Sequence, residues 1–124
     1  IEGIDSESLQ RVLLAFAAAN PVIGYCQSMN FIAATLLLYM DEERAFEAFR
    51  RLVEELLPAE YYTSGMVGLR ADLKVLDTLI AQYLPDLHAR LTSFGLDLAP
   101  ITMNWFLCLF LNTLPTALAH HVFT

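Results

Sequence analysis

The sequence predicts an all-α fold, an irregular domain of six or seven helices. Three observations carry that reading. Apolar residues recur at three- and four-residue spacing along nearly the whole chain. No segment sustains the period-two alternation of a half-buried strand, and neither hairpin dipeptide, Asn-Gly or Asp-Gly, occurs. Each of the five prolines falls at the edge of a periodic stretch.

Asp5 or Ser6 can N-cap a first helix running to about Ala19, because a short side-chain oxygen satisfies a free N–H of the first turn. Asn20-Pro21 stops it, since the residue before proline is pushed out of the α region. Pro21 to Tyr25 reads as a loop. A second helix is expected from about Gln27 to Met40, central and buried, because Phe31 to Met40 is apolar on every side. Asp41 opens the third, with Glu42 and Glu43 at the positive end of its dipole. Phe46, Phe49, Leu52, Val53, Leu56 and Leu57 form its apolar stripe, and Glu47 and Arg51 lie one turn apart on its wet face. Pro58 ends it, and Tyr61 to Gly68 reads as a loop. Leu69, Leu73, Leu76, Ile80 and Leu84 mark an amphipathic fourth helix. Pro85 opens a fifth, stopped near Phe94 by Gly95. A buried apolar helix containing Trp105 is expected from about Pro100 to Thr113, and a last one begins near Pro115.

The 7 Lys+Arg against 14 Asp+Glu, a net charge of −7, argue against a nucleic-acid surface and against a polybasic membrane patch. Cys26 and Cys108 have no CxxC neighbour, so free thiols, no metal and no cofactor are the simple reading. No signal-peptide pattern opens the chain, which begins at Ile1 rather than Met, so its natural start is expected upstream. A charge-free gap of 29 residues separates Arg11 from Asp41, and another follows Asp97. Asn20, Pro21, Gly24, Gln27, Ser28 and Asn30 interrupt the first; Asn104, Asn112 and Pro115 interrupt the second. A spanning helix needs about 20 mostly apolar residues, so no direct transmembrane segment is expected. The composition is 56% apolar and 17% charged. Soluble domains are roughly 45–50% apolar and about 25% charged. The chain is therefore expected to be the core of something larger.

Few residues form constellations with chemistry. His88 stands alone, and adjacent His120 and His121 point in different directions on a helix, so no metal spacing results. Asp41, Glu42 and Glu43 read as a solvated helix start. Gly65 and Gly68 lack the phosphate-loop frame. The informative stretch is Asn20 to Ala33, where Gln27, Ser28 and Asn30 sit at the mouth of an oily helix. An unbonded buried polar group costs about 1–3 kcal/mol. These side chains therefore either cap the helix or meet a ligand, and spacing alone favours capping.

Leu9-x-Arg11-Val12-Leu13-x-Ala15-Phe16-Ala17, followed by Asn20-Pro21-x-x-Gly24-Tyr25-Cys26-Gln27-x-Met29-Asn30, resembles the heart of a TBC domain. Ile101-Thr102-x-x-Trp105-Phe106-x-x-Leu109-Phe110, then Leu114-Pro115, resembles that family's later Trp-Phe motif. The family consists largely of GTPase-activating proteins for Rab GTPases, and its fold is entirely helical. The resemblance implies that residues 1–124 are the central part of a single TBC-like domain, truncated at both ends. It implies an enzyme regulator in vesicle trafficking, cytoplasmic and peripheral to endomembranes, whose partner is a Rab-type small GTPase in its GTP-bound form.

The mechanism so implied uses two fingers, an Arg and a Gln, given in trans to the GTPase. The Arg neutralises charge on the transferred phosphoryl group, and the Gln positions the attacking water. Carried over by motif, the glutamine is Gln27; Gly24 and Tyr25 shape its loop, and Ser28 and Asn30 join the partner-binding surface. Three departures stand out. The Ile-x-x-Asp-x-x-Arg motif of the Arg finger is absent, and Arg11 has Ser8 where that motif has Asp. Ser28 replaces the glycine usual after the glutamine, which removes backbone freedom. Phe123-Thr124 falls where Trp-Asp is common. The alternative is a catalytically inactive TBC-like module that binds a GTPase or another protein.

Overall fold

The computed structural model describes residues 3–123, so Ile1, Glu2 and Thr124, the last belonging to the Phe123-Thr124 departure, lie outside the described residues. Among the described residues there are seven α-helices, one π-helical turn and no strand. The all-helical expectation holds, while several boundaries shift for identifiable reasons.

Helix α1 (Ser6–Ala19) begins where the Asp5 carboxylate accepts the backbone N–H groups of Glu7 and Ser8, at 3.3 and 3.1 Å. Helix α2 (Met29–Leu37) is shorter than the expected Gln27 to Met40. Ser28 holds a left-handed backbone that bars the helix from starting earlier. At the other end Leu38 and Tyr39 bond back to Thr35 and Leu36 in tight turns, and both side chains are exposed. Burial is confined to Met29 and the run Ile32 to Leu36.

Helix α3 (Glu42–Arg51) opens at Asp41, whose carboxylate accepts the Arg44 N–H at 3.0 Å. It passes into a π-helical turn, Leu52–Leu56, closed by the Leu57 N–H on the Leu52 carbonyl at 3.0 Å. The extra residue in that turn keeps Phe49, Val53 and Leu57 against the core. It also swings Leu56 out of the expected stripe, to 75% exposure. Glu47 pairs with Arg50 at 3.0 Å rather than with Arg51, because Arg50 lies between Glu47 and Glu54; Arg51 reaches Glu55 instead.

Helix α4 (Val67–Tyr83) starts two residues before Leu69, taking Gly68 out of the expected loop. A Cβ on Gly68 would stand 2.8 Å from the Ala59 carbonyl oxygen, so only glycine lets this turn pack against the chain after Pro58. Helix α5 (Pro85–Ser93) precedes α6 (Ala99–Leu107), which stops well before Thr113. Leu109 and Phe110 adopt positive φ values of 49° and 64° and turn the chain away. The buried positions there are Thr102, Leu107 and Cys108, whereas Trp105 is only half-buried. Helix α7 (Thr116–Phe123) closes the described chain.

Helices α1, α2 and α3 pack on one another, and α4 packs on α5 and α6. One continuous core joins the two groups. Phe16 and Phe49 meet edge to face at its centre, with ring centroids 4.9 Å apart. The buried Tyr62 hydroxyl donates to the Leu107 carbonyl at 2.8 Å and ties the chain after α3 to the end of α6. On the surface, Arg11 of α1 grips Glu42 of α3 through two nitrogens, at 2.6 and 2.9 Å, and Ser8 donates to the same carboxylate at 2.8 Å. Among the described residues no helix is long and apolar enough to cross a membrane.

Two outcomes are expected. Phe49→Ala should lower the unfolding free energy by about 3–5 kcal/mol in urea titrations, the cost of an emptied aromatic site. The Arg11 and Ser8 hydrogen bonds hold the Glu42 carboxyl down at about 2, from an ordinary value of 4.5. A lowered folded-state value stabilises the fold above the ordinary value and ceases to do so as pH falls toward the lowered one. Melting temperature should therefore fall more steeply for wild type than for Glu42→Gln between about pH 5 and pH 2. Parallel curves would show that this exposed cluster contributes nothing.

Candidate functional site

The loop joining α1 to α2 is fixed at its start by Asn20. Its carbonyl accepts the Gly24 N–H at 2.8 Å, its side-chain oxygen accepts the Ile23 N–H at 3.2 Å, and its amide nitrogen donates to Glu54 at 3.0 Å. Gly24 then takes φ 62°, and the space where a Cβ would sit is open, its nearest neighbour being the Pro21 carbonyl oxygen at 4.0 Å. Backbone preference alone accounts for glycine there.

The loop ends in a β-turn over Cys26, Gln27, Ser28 and Met29. The Met29 N–H closes it on the Cys26 carbonyl at 3.1 Å. The Cys26 N–H meets the Met29 sulfur at 3.3 Å, which pins the same two residues a second time. Ser28 occupies the third position with φ 97° and ψ −24°. Those are type II values, which normally require glycine. A left-handed non-glycine residue costs roughly 1–2 kcal/mol. Ser28 is nevertheless only 5% exposed. Its side chain makes no capping bond to α2. Capping, the role that spacing alone favours, is therefore not what these polar residues do.

Gln27, at the second position of the turn, is exposed, and its side-chain amide has no hydrogen-bond partner among the described residues. Tyr25 is 54% exposed rather than packed in the core, and lines a cavity of about 310 Å³ against Leu9, Gln10, Leu13 and Leu14 of α1. Asn30, half-buried in the first turn of α2, lines a second cavity of about 320 Å³ with Ser6, Leu9 and Phe31. Tyr25 and Asn30 thus each line a hollow along α1, with Leu9 contributing to both, whereas Gly24, Gln27 and the buried Ser28 line neither.

Leu9 is the participant that sequence reasoning missed: it lies on α1, outside the loop, and lines both hollows. Burial pushes both the Cys26 and the Cys108 thiols up from 9.0, so both stay protonated near neutrality and neither is a poised nucleophile. The chemistry available is that of a neutral amide, which both donates and accepts hydrogen bonds. Gly24→Ala should cost about 1 kcal/mol in urea unfolding without changing the slope, because the strain is local and no atom blocks the new methyl group.

Residues 2–124 match the Rab-GTPase-TBC domain. A TBC domain-containing protein of Schizosaccharomyces pombe is 41% identical over 93% of this chain and 15% of its own length. TBC1 domain family member 2A of Mus musculus is 47% identical over 87% of this chain and 12% of its own length. Small G protein signaling modulator 3 of Bos taurus is 42% identical over 89% of this chain, again 15% of its own length. The chain spans about one seventh of such relatives. The Gly24-Tyr25-Cys26-Gln27 loop, the helices that hold it and these likenesses agree: the chain belongs to the Rab-GTPase-TBC domain family.

Proposed function

We propose that this chain carries the glutamine finger of a Rab GTPase-activating site, with Gln27 as the group that orients the attacking water on a GTP-bound Rab partner. One observation carries the reading: Gln27 is exposed and unbonded on a turn whose ends are fixed by Asn20, Gly24 and Met29. A primary amide can accept from water while donating to a phosphate oxygen. Held in a rigid turn, it meets the transition state with little reorganisation. Tyr25 and Asn30 belong to the surface around it, with Ser28 buried beneath, and the hollows beside α1 receive the partner. Work on a Rab places the whole protein in the cytoplasm, peripheral to endomembranes, in vesicle trafficking.

Activation also needs a cation on the transferred phosphoryl group, worth roughly 10³–10⁵ in rate, or about 4–7 kcal/mol of barrier. Arg11 does not meet that need, because Glu42 occupies it through two nitrogens. Arg50 is held by Glu47 and Glu54. With no Ile-x-x-Asp-x-x-Arg motif in the chain, the arginine is the contribution of another part of the whole protein. The same observation favours the second reading, a TBC-like module that binds a GTPase without accelerating hydrolysis.

Single-turnover phosphate release from a panel of GTP-loaded Rab proteins separates these. These 124 residues alone should not accelerate hydrolysis; the whole protein should. In the whole protein, Gln27→Ala should cut the rate by about 10²-fold, the scale of losing one positioned polar group. Binding of the GTP-loaded partner should change little, since orienting water acts on the transition state. Full activity in Gln27→Ala would remove the catalytic assignment. Binding with no acceleration by the wild-type whole protein would establish the inactive module.

A further inference from the structure

We infer that Glu54 is a positioning residue: its carboxylate clamps the Asn20 side chain and so holds the start of the loop that presents Gln27. The inference rests on the reading of Gln27 as the water-orienting group. Asn20 ends α1, and an asparagine amide can face either way, with its oxygen or its nitrogen forward. Two neighbours decide which. The Ile23 N–H can only donate, and it meets the Asn20 side-chain oxygen at 3.2 Å. The Glu54 carboxylate can only accept, and it takes the Asn20 side-chain nitrogen at 3.0 Å. One orientation satisfies both neighbours, and the flipped one satisfies neither.

Glu54 is itself held. Its other oxygen accepts from Arg50 at 2.8 Å, and Arg50 donates in turn to Glu47 at 3.0 Å. The Glu54 side chain is only 26% exposed. It stands in the π-helical turn Leu52–Leu56, a rare kind of element that occurs frequently at functional sites. Pro21 and Val22, which follow Asn20, are exposed and give the loop no anchor of their own. Ile23 is the first loop residue packed against the core, and its N–H is the group that Asn20 holds. Only Gly24 and Tyr25 separate it from the turn that carries Gln27. Gly24 has no side chain to resist a change of backbone direction. A displacement at Ile23 therefore passes to Gln27.

Swapping donor and acceptor across the contact tests this. In the whole protein, Glu54→Ala should lower kcat about tenfold, the scale of one lost hydrogen bond to a charged group, with KM for the GTP-loaded GTPase little changed. Asn20→Asp sets two carboxylates face to face and should lower kcat as much. Combining Asn20→Asp with Glu54→Gln puts a donor where the acceptor stood and should restore most of the loss. Adding Glu54→Ala to Gln27→Ala should cost nothing further, because its effect runs through Gln27; a merely structural contact would make the two losses multiply. The Ile23 amide should exchange its hydrogen faster in Glu54→Ala and return toward the wild-type rate in the swapped pair. The inference is overturned if Glu54→Ala keeps wild-type kcat, if the swapped pair restores nothing, or if the losses in Glu54→Ala and Gln27→Ala multiply. Loss in Gln27→Ala with none in Glu54→Ala refutes the clamp and spares the glutamine. Full activity in Gln27→Ala refutes the glutamine, and hydrogen exchange at Ile23 alone then decides whether the clamp exists.

Discussion

Helix α2 carries no charged side chain, and Met29 together with Ile32 to Leu36 is withdrawn from water. A helix of that kind cannot stand at a surface; it must be wrapped. Helices α1 and α3 both pack against it and against each other, and Phe16 meets Phe49 across that contact. The constraint reaches the candidate loop directly. Because α2 is immobile in the core, the turn that enters it has one end fixed. Because α1 is packed on the same helix, Asn20 fixes the other end. The chain between has little freedom left, although Val22, Tyr25 and Gln27 all face solvent.

Much of this was legible in the residues. Asp5 and Asp41 announced two helix starts, and the prolines placed the breaks, because capping and proline sterics are local effects. The loop from Pro21 was readable for the same reason, although the second helix was expected to begin at Gln27, which lies in the turn before it. What local reasoning could not supply was whatever tertiary packing decides. The π-helical turn that expels Leu56 is visible only once Phe49, Val53 and Leu57 share a core. The early stop of α6 depends on left-handed backbone at Leu109 and Phe110, residues that carry no turn signature. Ser28 looked like a cap because serine commonly is one; its left-handed backbone, which no spacing rule foretells, instead leaves it without a side-chain bond to the helix it precedes.

On the proposed reading, the charge distribution completes the division of labour. A net charge of −7 leaves this chain poorly suited to gripping phosphate by itself. Its best-placed cation near the loop-bearing helices, Arg11, is consumed in holding α1 to α3. What the chain can offer a phosphoryl-transfer site is a neutral, directed amide, and neutrality is an advantage there. A carboxylate would repel the γ-phosphate, and an ammonium has no acceptor for water. Gln27 offers both a donor and an acceptor without adding charge.

Local rules are broken together in one place, and that coincidence carries weight. A serine holds a glycine conformation, the most buried helix starts with no side-chain cap, and an amide is left unbonded beside two hollows. Left-handed non-glycine backbone recurs at Glu60, Met66, Leu109 and Phe110, and α4, α5 and α6 also start without a side-chain cap. Ser28 differs from those four in being buried, at 5% exposure, directly beside an exposed Gln27. Strain that the surrounding structure enforces clusters at sites where geometry serves a task. The exceptions in this loop surround the one side chain on which the proposed function rests, Gln27. Its turn is held from the core side by buried Ser28 and Met29 and closed by the paired bonds between Cys26 and Met29.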